Sequence, residues 1–235
     1  FKVTSSTQAN PSVKTTGSQT YNRVATLAAN TVLYSDSSVF FGQTVLRDNT
    51  STRWDLYIDA GNGAYQQYGQ VYARHFYNNG GAVTFTGNVG TSSRKLGTLT
   101  VTNHGGGANT IYLYTDVTTD TGQTYTAPVV LKATVTLADI AGDNIWFQYS
   151  VNADTDSPGA QGLTIQTDGM TKFDGPVGND APLAGLHVQG YTTPGAGSAD
   201  LNGGTVTTAG AGGTGQTYDN AVTLTADTVL NDLSG

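Results

Sequence analysis

Cysteine is missing from all 235 residues, so neither a disulfide nor a thiolate-held metal can brace this chain. Glutamate is missing too, the 17 acidic residues all being Asp, and methionine occurs once. Two of the good helix formers are therefore absent or nearly so. Charged residues make up 11% of the chain and leave a net charge of −7. That balance excludes the basic surface with which proteins neutralise nucleic-acid phosphates, and it disfavours docking on anionic membranes. No stretch reaches the roughly 20 apolar residues of a spanning helix, so membrane insertion of this segment is not expected. The chain opens on Phe1 without a basic-then-apolar leader, as expected of a processed or excised segment.

What is present is Thr, about one residue in six, with 13 Tyr and 31 Gly. Thr, Tyr and Val favour half-buried strands, while Gly, Asn and Asp supply turns. The composition describes an all-β protein with a hydrated, weakly charged surface, and 37% hydrophobic residues suffice for a sizeable core.

A sixteen-residue stretch occurs three times: SQTYNRVATLAANTVL at 18–33, GQTYTAPVVLKATVTL at 122–137 and GQTYDNAVTLTADTVL at 215–230. The copies share Gln19, Gln123 and Gln216, then a Thr, then Tyr21, Tyr125 and Tyr218. Their shared apolar positions fall on one parity from the Tyr to the final Leu, the period of a strand pair rather than a helix. A second block, GAVTFTGNVG at 81–90, matches GMTKFDGPVG at 169–178, and SVFFGQTV at 38–45 matches NIWFQYSV at 144–151. The unit is about a hundred residues, with approximate bounds 13–116, 117–205 and an incomplete 206–235. The first unit carries an aromatic-rich insertion over roughly 62–80. Because the third copy breaks off, the chain is expected to continue past Gly235, since repeat arrays need capping ends.

Two architectures fit such a unit. One is a right-handed parallel β-helix, or β-solenoid, of about 20–25 residues per turn, rising about 4.8 Å per turn. The other is a tandem of immunoglobulin-like β-sandwich domains, one per unit. Strand-like segments recur faster than once per unit, and a turn-sized insertion is cheap in a solenoid, so the expectation is one continuous solenoid over 1–235.

The runs VTT, GQTY, VTL and ADTVL, with the Gly-flanked TFxGxVG and LxxLxV, resemble the β-strand repeats of giant bacterial surface proteins of the filamentous-haemagglutinin type. The resemblance covers about 13–46, 81–188 and 203–230. It implies a β-helix rod exported across an outer membrane and acting as adhesin, spacer or fibre. The region 47–80 departs from that repeat style.

Chemistry is sparse. The histidines, His75, His104 and His187, lack zinc-site spacing; His187, between Leu186 and Val188, reads as an outward strand residue. Asp154 and Asp156 in NADTDSPG resemble a fragment of a calcium loop, with an ordinary turn as the simpler reading. GAGGTGQT at 210–217 lacks the Lys of a phosphate loop. Asn49-Thr50-Ser51 matches an N-glycosylation acceptor. No catalytic residues, cofactor or metal are expected. The unusual surface feature is the insertion with its flank: Trp54, Tyr65, Tyr68, Tyr72, Arg74, His75, Phe76 and Tyr77. Exposed aromatics of this kind stack on sugars or pack on a neighbouring protein, although here they equally suit the packing of one extra turn. The partners expected are neighbouring rods, or a glycan or protein of a host cell or matrix. The function expected is an adhesin stalk or extracellular fibre at a bacterial surface. The alternatives are a polysaccharide-processing β-helix enzyme, which needs a carboxylate-lined groove, and a modular sandwich-domain binding protein.

Overall fold

The computed structural model describes residues 2–3, 13–47, 55–60, 65–67, 75–80, 83–91, 93, 96–103, 110–210 and 215–233. Among them there is no helix, and every paired strand runs parallel to its neighbour. The chain is a parallel β-solenoid. A sandwich would pair its strands antiparallel, so that alternative falls.

The solenoid has three faces. The first is a ten-stranded sheet from Val13–Thr15 to Ala221–Leu224. The second holds seven strands between Gln19–Tyr21 and Val151–Ala153, and the bridges Val151 to Val177 to Val206 carry it on to Thr205–Thr208 and Val229–Asp232. The third comprises three early strands, among them Ala25–Leu27, and five later ones from Val117–Thr119 to Gln216–Tyr218.

Local sequence explains the winding. The stretch 122–137, expected as a strand pair, is instead three strands on three faces: Gln123–Tyr125, Val129–Leu131 and Val135–Asp139. Each strand begins six residues after the last. An even step keeps inward residues on one parity around each corner, so a single period-two pattern threads a whole turn. Val129 and Leu131 are buried while Val130 between them is half-buried. On the first face turn lengths run from 20 residues, Val13 to Leu33, up to 28, Thr171 to Ala199. The excess enters corners such as 154–162, which joins the second face to the third.

Inward side chains stack turn upon turn into one core. On the first face Tyr125, Phe147 and Phe173 lie in register, with ring centroids 5.0 Å apart and planes within 7° of parallel. Tyr21 stacks on Phe41 the same way at 4.9 Å. These separations follow the strand spacing, and each offset stack adds about 0.5–1.5 kcal/mol beyond its buried area.

The three Gln-Thr-Tyr copies sit on three different faces: Gln19 on the second, Gln123 on the first and Gln216 on the third. Counting strands of the ten-stranded sheet, the path from Gln19 to Gln123 is four turns and two faces, and from Gln123 to Gln216 three turns and two faces. Each unit thus ends the same two faces on, and the first holds one turn more. The described residues of the expected insertion, Tyr65–Gln67 and His75–Gly80, are strands on the second and first faces. The repeated glycines have a matching explanation. Gly90 and Gly178, equivalent in the second repeated block, have φ of +71° and +67°. A Cβ there would stand 2.0 Å from the Thr118 carbonyl and 2.1 Å from that of Thr207, each one turn on. In the last turn Val222, Leu224, Val229 and Leu230 are exposed.

Candidate functional site

The repeated Gln-Thr-Tyr motif forms an internal bracket. Tyr21, Tyr125 and Tyr218 donate their hydroxyls to Oε1 of Gln19, Gln123 and Gln216 at 2.8, 2.7 and 3.3 Å. The amide of each Gln donates to the backbone carbonyl fifteen residues on, that of Tyr34, Ala138 or Asn231, at 2.6, 3.0 and 3.0 Å. Desolvation pushes the Tyr21 and Tyr218 phenols up to about 12 and that of the wholly buried Tyr125 higher still. The next position in the bracket is also polar. The buried Asp139 carboxylate accepts from Thr119 Oγ1 at 2.9 Å and from the backbone N–H groups of Gly122 and Asp143 at 2.7 Å each. These groups are consumed by the fold.

Of the expected contact surface, Trp54, Tyr68, Tyr72 and Arg74 lie outside the described residues, as do His104, Asn49 and positions 211–214 of the glycine-rich run at 210–217. Tyr65 shares a register row with the buried Val39 and Val83, and Phe76 with the buried Leu56 and Leu99. Tyr77 shares one with the half-buried Tyr57 and Thr100, and His75 pairs with Thr98. Asp154 does not sit in a cation cage: its carboxylate meets Lys132 Nζ at 2.8 Å, and this hydrogen bond holds it below the usual carboxylate range. His187 does face outward, between the buried Leu186 and Val188, and contacts Asp219 at 2.8 Å. Among the described residues no cluster of three metal-ligating side chains occurs.

The most elaborate surface arrangement lies on the first face. Its outward row runs Thr100, Thr124, Trp146, Lys172, Asp200 in register. Trp146 donates its indole N–H to Asp174 Oδ2 at 2.6 Å, while Asp174 Oδ1 accepts from Lys172 at 2.9 Å and Asn202 at 3.0 Å. Lys172 also lies 5.3 Å from the indole centroid. Burial raises the Asp174 carboxyl, but the hydrogen bonds from Asn202, Lys172 and Trp146 outweigh it and leave it below its ordinary value. Beside this cluster runs a groove of about 460 Å³, lined by Thr98, Thr121, Thr124, Asn144, Trp146 and Lys172 among others. A second groove, about 580 Å³ and flanked by Leu163, Leu186 and His187, lies on the third face.

Comparison with protein-family models, curated proteins and solved structures finds no match. Function is therefore argued from the geometry. The Trp146 cluster escaped the sequence reading because Trp146 and Lys172 are 26 residues apart. They become neighbours only once that turn's length is fixed. The available signal was the pair of segments NIWFQ and MTKFD, each setting an outward residue before an inward Phe.

Proposed function

We propose that this chain is a length of a secreted, cell-surface β-solenoid serving as an adhesin stalk or extracellular structural fibre. One observation carries the reading: the repeated motif returns on a different face each time. A duplicated binding surface needs its copies aligned along one side of the rod. Here the outward Thr20, Thr124 and Thr217 belong to three different faces, whereas the inward Gln–Tyr bracket is reproduced in all three copies. What duplication kept is core and length. At about 4.8 Å per turn, the two intervals extend the rod by about 22 and 18 Å. Freedom from cysteine suits passage through an outer membrane as an unfolded chain, with coiling supplying stability afterwards. Neighbouring rods and a host glycan or protein are the partners proposed for such a stalk.

The test is antibody labelling of intact against opened cells of the source organism, with electron microscopy of the released native assembly. Labelling of intact cells and a rod of uniform width support the reading. Labelling only after the cells are opened overturns it.

A further inference from the structure

Going beyond the rod itself, the geometry points to a binding site for a neutral oligosaccharide in the groove beside Trp146. On the first face the outward row changes from small to large between Thr124 and Trp146, which are register partners one turn apart. A threonine side chain is much shorter than an indole. The indole face toward Thr124 therefore extends past its neighbour, and both residues line the groove. The opposite side of the ring is backed by the Lys172 ammonium, 5.3 Å from its centroid. The ring is also pinned in plane by its N–H bond to Asp174. A wall held this way loses little freedom when a ligand stacks on it.

The lining selects the ligand class. The flat, electron-rich face of the indole suits the C–H face of a pyranose ring, whose hydrogens carry partial positive charge. Around it stand the hydroxyls of Thr98, Thr121 and Thr124 and the amide of Asn144. Hydroxyls both donate and accept, as sugar hydroxyls do. The one cation, Lys172, is already paired with Asp174, whereas Asp143 adds a carboxylate to the lining. An acidic sugar would meet that carboxylate without a free cation in the lining to offset it, so a neutral one is favoured. From Thr98 to Lys172 the groove crosses four successive turns, about 14 Å of rod, which fits a short oligosaccharide lying along the axis. Its volume falls within the range of small-ligand sites.

The experiment is saturation-transfer NMR on the full chain with maltotriose, cellotriose and triacetylchitotriose, and with trigalacturonate as the acidic counterpart, followed by titration of whichever binds. Transfer to at least one neutral trisaccharide is expected, with weaker or no transfer to trigalacturonate. Trp146→Ala should weaken binding at least tenfold, while His187→Ala on the third face leaves it unchanged. Thr124→Trp places a second ring against the exposed indole face without touching the core, so it should abolish binding even if Trp146→Ala disturbs folding. The proposal is overturned if no neutral sugar shows transfer, if the acidic sugar binds better, or if Thr124→Trp binds as well as the parent chain. The assay uses the isolated chain, so its outcome is independent of whether the rod is a stalk, a fibre or neither.

Discussion

Tyr125 donates its hydroxyl to Gln123, two residues earlier on the same strand, at 2.7 Å, and Gln123 hands its own amide to the Ala138 carbonyl at 3.0 Å. Both side chains are fully buried, so the Tyr125 hydroxyl and Gln123 Oε1 depend on each other for a partner. Replacing Gln123 with Leu orphans the Tyr125 hydroxyl and leaves the Ala138 carbonyl only its longer bond from Thr119 Oγ1 at 3.4 Å, at about 1–3 kcal/mol for a group left unsatisfied. Adding Tyr125→Phe removes one orphan, so the double variant should recover part of the loss. Urea unfolding of the four chains of this cycle measures it; additive losses would mean that the two side chains act separately.

The aromatic stack beneath that bracket makes a second prediction. Phe147 lies between Tyr125 and Phe173 at 5.0 Å from each. Phe147→Ala opens a void bordered by both rings and should cost about 3–5 kcal/mol. Thr124→Ala, one row away on the outward side, should stay within about 0.5 kcal/mol. Equal losses would contradict the inward and outward assignment of these two neighbouring strands.

The fold was legible from the parity shared by the three sixteen-residue copies, because strand and corner together step by six and never break the alternation. The same regularity concealed the corners, and a complete turn read as a strand pair. The hexad was nevertheless visible: Ile111, Val117, Gln123, Val129 and Val135 begin successive strands six apart. The site was less legible. Trp146 and Lys172 meet only because the turn between Ile145 and Thr171 takes 26 residues, a length set by the corner after Ala153 and not by any periodic signal. The change of face between copies was hidden for the same reason, since sequence distance fixes a face only when every turn length is known.

Alkaline titration tests the burial of the bracket tyrosines. An ordinary phenol ionises near pH 10, but desolvation raises Tyr21 and Tyr218 to about 12 and Tyr125 further. With the folded value above the unfolded one, their stabilising contribution is complete below about pH 10 and is lost as pH rises toward 12. Near-ultraviolet absorbance should show a late tyrosinate step coinciding with loss of β-sheet circular dichroism. A single step near pH 10 in the folded chain would refute burial of the bracket.

Asp174 gives the acid counterpart. Its folded value lies below the ordinary carboxylate value of about 3.9. Its contribution is therefore present above that value and lost as pH falls through the lower folded one. Below that point Trp146 loses its charged acceptor and Lys172 its partner, so the near-ultraviolet dichroism of the indole should collapse before the β-sheet signal does. Asp174→Ala should show the collapsed indole signal already at neutral pH.

The strongest single-residue test of the winding is Gly178. Its φ is +67°, and an added Cβ would stand 2.1 Å from the Thr207 carbonyl of the following turn. The substitution Gly178→Ala thus combines a left-handed backbone penalty with a collision against rigid backbone. It should destabilise by more than about 3 kcal/mol, at the extreme end for a one-carbon change. Gly17 provides the comparison, because a Cβ there meets nothing within 4 Å and its φ lies outside the left-handed range. Gly17→Ala should be neutral or slightly stabilising through its effect on the unfolded chain. In a stack where each turn touches only its neighbours, the damage from Gly178→Ala should also be local. Hydrogen exchange should accelerate first in the turns holding Val177 and Val206, while the Tyr125–Phe147 turns keep their protection. Uniform acceleration along the chain would show instead that the solenoid unfolds as a single cooperative unit.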